Sequence, residues 1–232
     1  MLLRIPEPEV MDTRRDAEEY DAMDFSEANT RFAEDAIELL VDRRDAQVLD
    51  VGTGTAQIPA LILKRRPDLR LLAVDLAQEM LNVAARNIAG AGHSGGCQLA
   101  KMDGKALRVH SGRFDLVMCN STAHHIPEPL VLFRELGRVA RPDGAILVRD
   151  LIRPRSMDEA WAIVKRVAAG EHPRQQQLFF DSLCAALTLP EVEEIVQAAG
   201  LTRMYVAKVS DRHWSAEQRA LRPTSMVPPR SA

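Results

Sequence analysis

Short apolar runs alternate with longer amphipathic segments through the middle of the chain. Gln47–Val51 reads as a first strand running into glycines. Ile58, Leu61 and Ile62 then mark a helix that must stop by Arg66, because Pro67 disfavours helical backbone in the residue before it. Leu71–Val74 predicts a second strand ending at Asp75, followed by a helix face of Met80, Leu81, Ala84 and Ile88 that Gly90 and Gly92 close. Gln98–Met102 predicts a third strand ending at Asp103, and Phe114–Cys119 a fourth. A helix opening at Pro127 and Pro129 leads through the turn Arg141-Pro142-Asp143-Gly144 into a fifth strand, Ala145–Val148. Continuous apolar runs of strand length between helices mean a parallel sheet covered on both faces.

The flanks break this alternation. Arg14 to Val41 reads as helical, with Ser26 as an N-cap and Phe32, Ala36, Ile37, Leu40 and Val41 as its stripe. Its first part, Arg14 to Phe25, is so charged that a lid is expected rather than core. After Asp150, helices are expected over Ser156–Ala169 and Gln176–Leu187, and a third from the capping box Thr188/Glu191 to Gly200. Met204–Val209 and Arg212–Gln218 complete the strands. The division expected is a helical lid with the first core helix (1–45), a core domain (46–218) with a helical insertion at about 152–187, and a disordered Pro-rich tail (219–232).

Composition narrows the partners. The 232 residues carry 30 Lys and Arg against 33 Asp and Glu, with no basic run, so nucleic acid is not the expected partner. Cys97, Cys119 and Cys184 are far apart and form no CxxC pair, which suggests neither a disulfide framework nor a zinc site, and no metal is expected. No stretch approaches the roughly 20 apolar residues that span a bilayer, and the amino terminus lacks the apolar core of a signal peptide. A cytoplasmic protein with a small-molecule partner is the expectation; the oligomeric state is open.

The chemistry concentrates at the strand ends. In VLDVGTGTAQIPAL, Val48 to Leu61, a strand runs through Gly52-Thr53-Gly54 into a helix whose free N–H groups suit an anionic ligand. A dinucleotide fingerprint demands glycine at position 57, where this chain has Gln57, and no GK[ST] follows for a phosphate loop. Asp50, Asp75 and Asp103 each belong to a successive strand end. In a doubly wound sheet these ends lie side by side at the ligand crevice. Any one of them alone reads equally well as a turn or cap residue; the series in order does not.

These residues resemble the class I S-adenosylmethionine-dependent methyltransferases, whose first motif is [D/E]xGxGxG. Asp50, Gly52 and Gly54 match it, and Ala56 replaces the third glycine. FDLVMCNSTAHHI and RELGRVARPDGAILVRDLIRP resemble the family's fourth-strand and fifth-strand segments, so the likeness runs strongly from about Ala46 to Leu151. It implies an α/β Rossmann-like sheet of seven strands, mostly parallel, in the order 3-2-1-4-5-7-6. It implies S-adenosylmethionine as cofactor and S-adenosylhomocysteine as product. It assigns Asp75 to the ribose, Leu76 to packing on the adenine, Asp103 to the adenine amine and Asn120 to the methionine part, with Asp50, Gly52, Thr53, Gly54 and Met102 as further cofactor contacts.

Methyl transfer needs positioning and desolvation first, because the cofactor supplies the electrophile. His124 and His125, just past the fourth strand, are the base candidates, each set against a role in bonding loop backbone. Asp150 is the next, either orienting a substrate amine or pairing with Arg153. Tyr20, Met23, Phe25, His125, Arg153 and Phe179 are candidate acceptor contacts, with helix packing the competing reading for Phe179. The fourth strand reads Asn120-Ser121-Thr122 and lacks the [N/D]PP[Y/F/W] of nucleic-acid amino-methyltransferases. Two alternatives keep the fold: an aminopropyltransferase, for which no convincing acidic cluster beyond Asp103 and Asp150 is present, and a cofactor-binding protein without catalysis.

Overall fold

The computed structural model describes residues 2–7 and 12–222. The strands are β1 Gln47–Val51, β2 Arg70–Asp75, β3 Cys97–Lys101, β4 Phe114–Asn120, β5 Ala140–Leu151, β6 Tyr205–Lys208 and β7 His213–Gln218. They form one sheet in the order β3-β2-β1-β4-β5-β7-β6. β1 to β5 pair in parallel, and β7 is antiparallel to both β5 and β6.

The continuous apolar runs arise because each strand is buried on two sides. Within β1, Val48 packs with the helices over one face, and Leu49 and Val51 pack toward the other. The first face takes α2 (Ser26–Leu39), α3 (Gln57–Arg65) and α4 (Gln78–Gly90) through Phe32, Ile62 and Ala84. The second takes α5 (Pro129–Val139) and α8 (Leu189–Ala198) through Leu132, Phe133, Leu136 and Val192. A smaller core joins α6 (Met157–Val167) and α7 (Pro173–Ala185), where Trp161 and Phe180 stack with centroids 4.4 Å apart.

Local chemistry sets most boundaries as expected. Thr188 and Glu191 form the reciprocal capping box that opens α8. Gly200 takes φ +75° just past that helix. Three expectations differ. The amino-terminal helix is two helices, α1 (Arg14–Asp21) and α2, and Ser26 is not a cap: its N–H donates to Asp24 Oδ1, and it begins the helix. Pro127 precedes α5, which starts at Pro129. Residues 141–144 are not a free turn but the bulged start of β5, where Ala140 pairs with Phe114 before the register resumes at Leu116 and Ala145.

The expected tail is also shorter at its beginning. Ala220 is buried and its N–H donates to Leu39, while the Leu221 N–H donates to Asp143. The rest of that segment, 223–232, lies outside the described residues. No helix among the described residues is long and apolar enough to cross a membrane.

Candidate active site

The carboxyl ends of β1, β2 and β4 converge where the sheet order reverses, the position at which open α/β sheets bind ligands. Gly52 has φ +73°, and a Cβ there would stand 2.1 Å from Thr122 Oγ1, so the turn requires glycine on conformation and on space. Gly54 has φ +54°, and its N–H donates to Asp75 Oδ2 at 2.8 Å. Asp75 Oδ1 accepts from the Ala77 N–H, also at 2.8 Å. The carboxylate thus clasps the glycine turn to β2, and lone pairs remain for a ligand, since a carboxylate offers about four acceptor positions. Ala56, standing where the family motif has its third glycine, is buried and left-handed with φ +58°. Strain of about 1–2 kcal/mol is expected for a residue with a Cβ in that region.

The acids differ in their surroundings. Asp50 is buried, and burial lifts its carboxyl to about 7, against the lowering effect of the Thr53 hydroxyl. Asp75 is raised by burial, partly offset by the Ala77 and Gly54 N–H groups. Asp103, just past β3, is held below the usual carboxylate range: burial opposes this, but the Lys105 backbone N–H at 2.8 Å and its ammonium at 3.0 Å outweigh it. Leu76 and Met102 flank Asp75 and Asp103, with the Met102 N–H donating to the Asp75 carbonyl. Asn120 ends β4, and its carbonyl accepts from the Thr122 hydroxyl at 3.0 Å.

The charged segment expected to act as a lid is docked. Ala17 of α1 is fully buried against Ala77, Met80 and Val83, with Tyr20 packed beside them. A Cβ on Gly54 would lie 3.6 Å from the Tyr20 ring, which places that ring over the glycine turn. Burial, with the charges of Asp75, Asp150 and Asp50, raises the Tyr20 phenol to about 12. Phe25 stands 5.2 Å from Tyr20, ring to ring, and Met23 is half-buried between them in sequence. The charges of α1, expected to be solvated, include tethers. Asp16 and Glu19 pair with Arg174 at 2.5 and 3.2 Å, and Asp21 accepts from Gln57 and Asn87.

Two of the base candidates already hold partners. His124 is buried, its Nδ1 lies 2.6 Å from Asp150 Oδ1 and its Nε2 3.2 Å from Glu7 Oε1. Burial opposes a charge there, yet Asp150 and then Glu7 hold the imidazole protonated up to about 9. A protonated imidazole between two carboxylates has no lone pair to take a proton. Asp150 is committed as well: it accepts from the His124 and Leu151 N–H groups and does not pair with Arg153. Arg153 is buried, with one nitrogen on the Ala186 carbonyl and another 2.6 Å from Glu191. Phe179 packs on the α6–α7 core, as its competing reading had it. His125 is half-buried with Nδ1 3.3 Å from Glu7 Oε1. Glu7 and Thr122 escaped the sequence reading. Glu7 arrives from 117 residues before His124, and no local pattern announces it; Thr122 is recognisable only by its contact with Gly52.

Residues 49–148 match the family model described as a methyltransferase domain. The chain is 25% identical over 191 residues to the methyltransferase GfsG of Streptomyces halstedii, covering 81% of this chain and 64% of that protein. It is 32% identical over 132 residues to a malonyl-[acyl-carrier protein] O-methyltransferase of Geobacter sulfurreducens, covering 56% and 48%. It thus spans about half to two thirds of the length of these relatives. A putative S-adenosyl-L-methionine-dependent methyltransferase of Methanococcus maripaludis shares the fold with a TM-score of 0.70 at 15% identity, covering 94% of this chain and 99% of the other. The reversed sheet order, the glycine cradle clasped by Asp75 and the methyltransferase domain matched over residues 49–148 agree with one another, and together they make the chain similar to the class I S-adenosylmethionine-dependent methyltransferases.

Proposed function

We propose that this protein transfers the methyl group of S-adenosylmethionine to a small-molecule acceptor held between α1 and the α6–α7 insertion. The observation that carries this reading is the roofed crevice: Tyr20 lies over Gly54 while Arg174 of α7 is tied to α1. A roof over the sulfonium excludes water and suits a compact acceptor better than a folded macromolecule. The basic patch that nucleic acid would require is broken up, since Arg153 is buried against Glu191 and Arg166 pairs with Asp211. Asp75 receives the ribose hydroxyls, Leu76, Met102 and Asp103 surround the adenine, and Asn120 lies beside the methionine part. Tyr20, Met23, Phe25 and His125 line the acceptor side.

The test is a screen of oxygen, nitrogen and carbon acceptors read by S-adenosylhomocysteine release. Tight cofactor binding without turnover on any acceptor class would instead favour a non-catalytic cofactor-binding protein.

Asp75→Ala should weaken S-adenosylhomocysteine by about 1.5–3 kcal/mol through loss of charge-assisted hydrogen bonds. Calorimetric titration checks this, with exposed Glu193→Ala as the control. Equal affinities for wild type and Asp75→Ala would remove the ribose assignment.

The lid makes a separate prediction. Trypsin should cut at Arg14 or Arg15, both exposed, more slowly once S-adenosylhomocysteine is bound under Tyr20. Unchanged cleavage rates would mean α1 does not respond to the ligand.

A further inference from the structure

We propose that Glu7, His124 and His125 form a binding site for one zinc-class divalent cation, with Asp150 as the carboxylate that orients His124. The three donor atoms lie within 4.8 Å of one another. Glu7 Oε1 stands 3.2 Å from His124 Nε2 and 3.3 Å from His125 Nδ1. Those are ligand–ligand separations, not only hydrogen-bond lengths. Zinc bound tetrahedrally at about 2.0–2.1 Å keeps neighbouring ligand atoms about 3.3 Å apart. Two imidazoles and one carboxylate are the donor set that borderline cations favour, and three protein ligands leave a fourth position open.

The surroundings are those of a built site. Asp150 Oδ1 takes His124 Nδ1 at 2.6 Å, which turns Nε2 to the side of Glu7, where the ion would take the place of the Nε2 proton; such carboxylate–histidine pairs recur behind metal-ligating histidines. The Ser182 hydroxyl donates to Glu7 Oε1 at 3.1 Å and so orients the carboxylate. Glu7 is held in place by the strap that carries it. Arg4 donates to the carbonyls of His124, Ile126, Pro127 and Ala185, and the Ile5 N–H donates to the Cys184 carbonyl. An ion here would take over from the His124 proton in balancing the Asp150 and Glu7 carboxylates.

The site lies at the carboxyl ends of β4 and β5, the sheet edge that also carries Asp50 and Asp75. On the reading that this crevice transfers methyl groups, the open position suits an acceptor hydroxyl or carboxyl oxygen. Coordination lets the acceptor O–H proton leave to solvent. The oxygen pair then bonds to the methyl carbon and the C–S pair returns to sulfur, giving an O-methyl product, S-adenosylhomocysteine and one proton.

The experiment titrates tag-free, chelator-treated protein with Zn²⁺, and with Co²⁺ as the spectroscopic probe. One ion per chain is expected. Glu7→Gln and His125→Ala should bind it at least about tenfold more weakly, and Asp150→Asn roughly 10–100-fold more weakly. No stoichiometric uptake by the wild type, or unchanged affinity in Glu7→Gln and His125→Ala, would overturn the site. Zinc-edge X-ray absorption on the wild type needs no variant to fold: nitrogen and oxygen scatterers alone are expected, and a sulfur shell would overturn the assignment. S-adenosylhomocysteine binding is measured on the same metal-free protein. Intact binding without metal uptake sinks the metal site alone; metal uptake without cofactor binding sinks the methyl-transfer reading instead.

Discussion

Gly52→Ala is expected to destabilise the fold by about 2–5 kcal/mol and to abolish measurable S-adenosylhomocysteine binding, the largest single-residue effect at the cradle. Two costs combine. The φ of +73° is strained for any residue with a Cβ, by about 1–2 kcal/mol. The added methyl would also meet Thr122 Oγ1 at 2.1 Å and Thr122 Cγ2 at 2.7 Å, contacts that force β1 and the β4 loop apart. Relief of that overlap, worth about 1–3 kcal/mol, separates the two costs. Gly52→Ala/Thr122→Ala should recover part of the lost stability in urea unfolding, and the backbone strain should remain. Wild-type stability in Gly52→Ala would mean that the β1–α3 turn does not press on Thr122.

Asp50→Asn is expected to stabilise the ligand-free protein at neutral pH, by an amount that depends on pH. The folded carboxyl titrates at about 7, raised from 3.8 mainly by burial. Below the unfolded value the group is protonated in both states. Between the two values the folded protein binds the extra proton, so stability falls as pH rises and levels off once the folded group has ionised. Asparagine does not titrate. The stability difference between variant and wild type should therefore grow by on the order of 2–4 kcal/mol from pH 4 to pH 8. Chemical denaturation across that range measures it. A difference that stays flat would show that Asp50 is already ionised at low pH. Cofactor binding should act on the same group: the sulfonium and ammonium of S-adenosylmethionine favour the carboxylate, so binding near pH 6.5 should release protons, seen as a buffer-dependent calorimetric heat.

Much of the fold was legible because its signals are local. The runs of β1, β2 and β4 need only to be apolar on both sides, and the Thr188/Glu191 box and Gly200 are set within a few residues of each other. Where sequence misled, a distant partner intervened. The stretch 141–144 contains the usual turn residues, yet Arg43 and the β4 backbone draw it into the sheet, with Arg43 on Asp115 and Asp143 at 2.7 and 2.5 Å. Arg14 to Phe25 is charged enough to read as a solvated lid, but Ala17 and Tyr20 give it an apolar contact, and Arg174 collects its acids.

The cradle follows the same division. Sequence alone determined the Gly52–Gly54 turn and the order of acids at the strand ends, because glycine's backbone freedom and the strand-end position are properties of the chain itself. Tertiary structure decided what each polar group is committed to. It buried Asp50, turned Asp75 onto Gly54 and Ala77, tied Arg153 to Ala186 and Glu191, and set His124 between Asp150 and Glu7. Proton affinity and ligand capacity depend on desolvation and on charges brought in from more than 100 positions away, such as Glu7 beside His124, and no spacing rule along the chain encodes that approach.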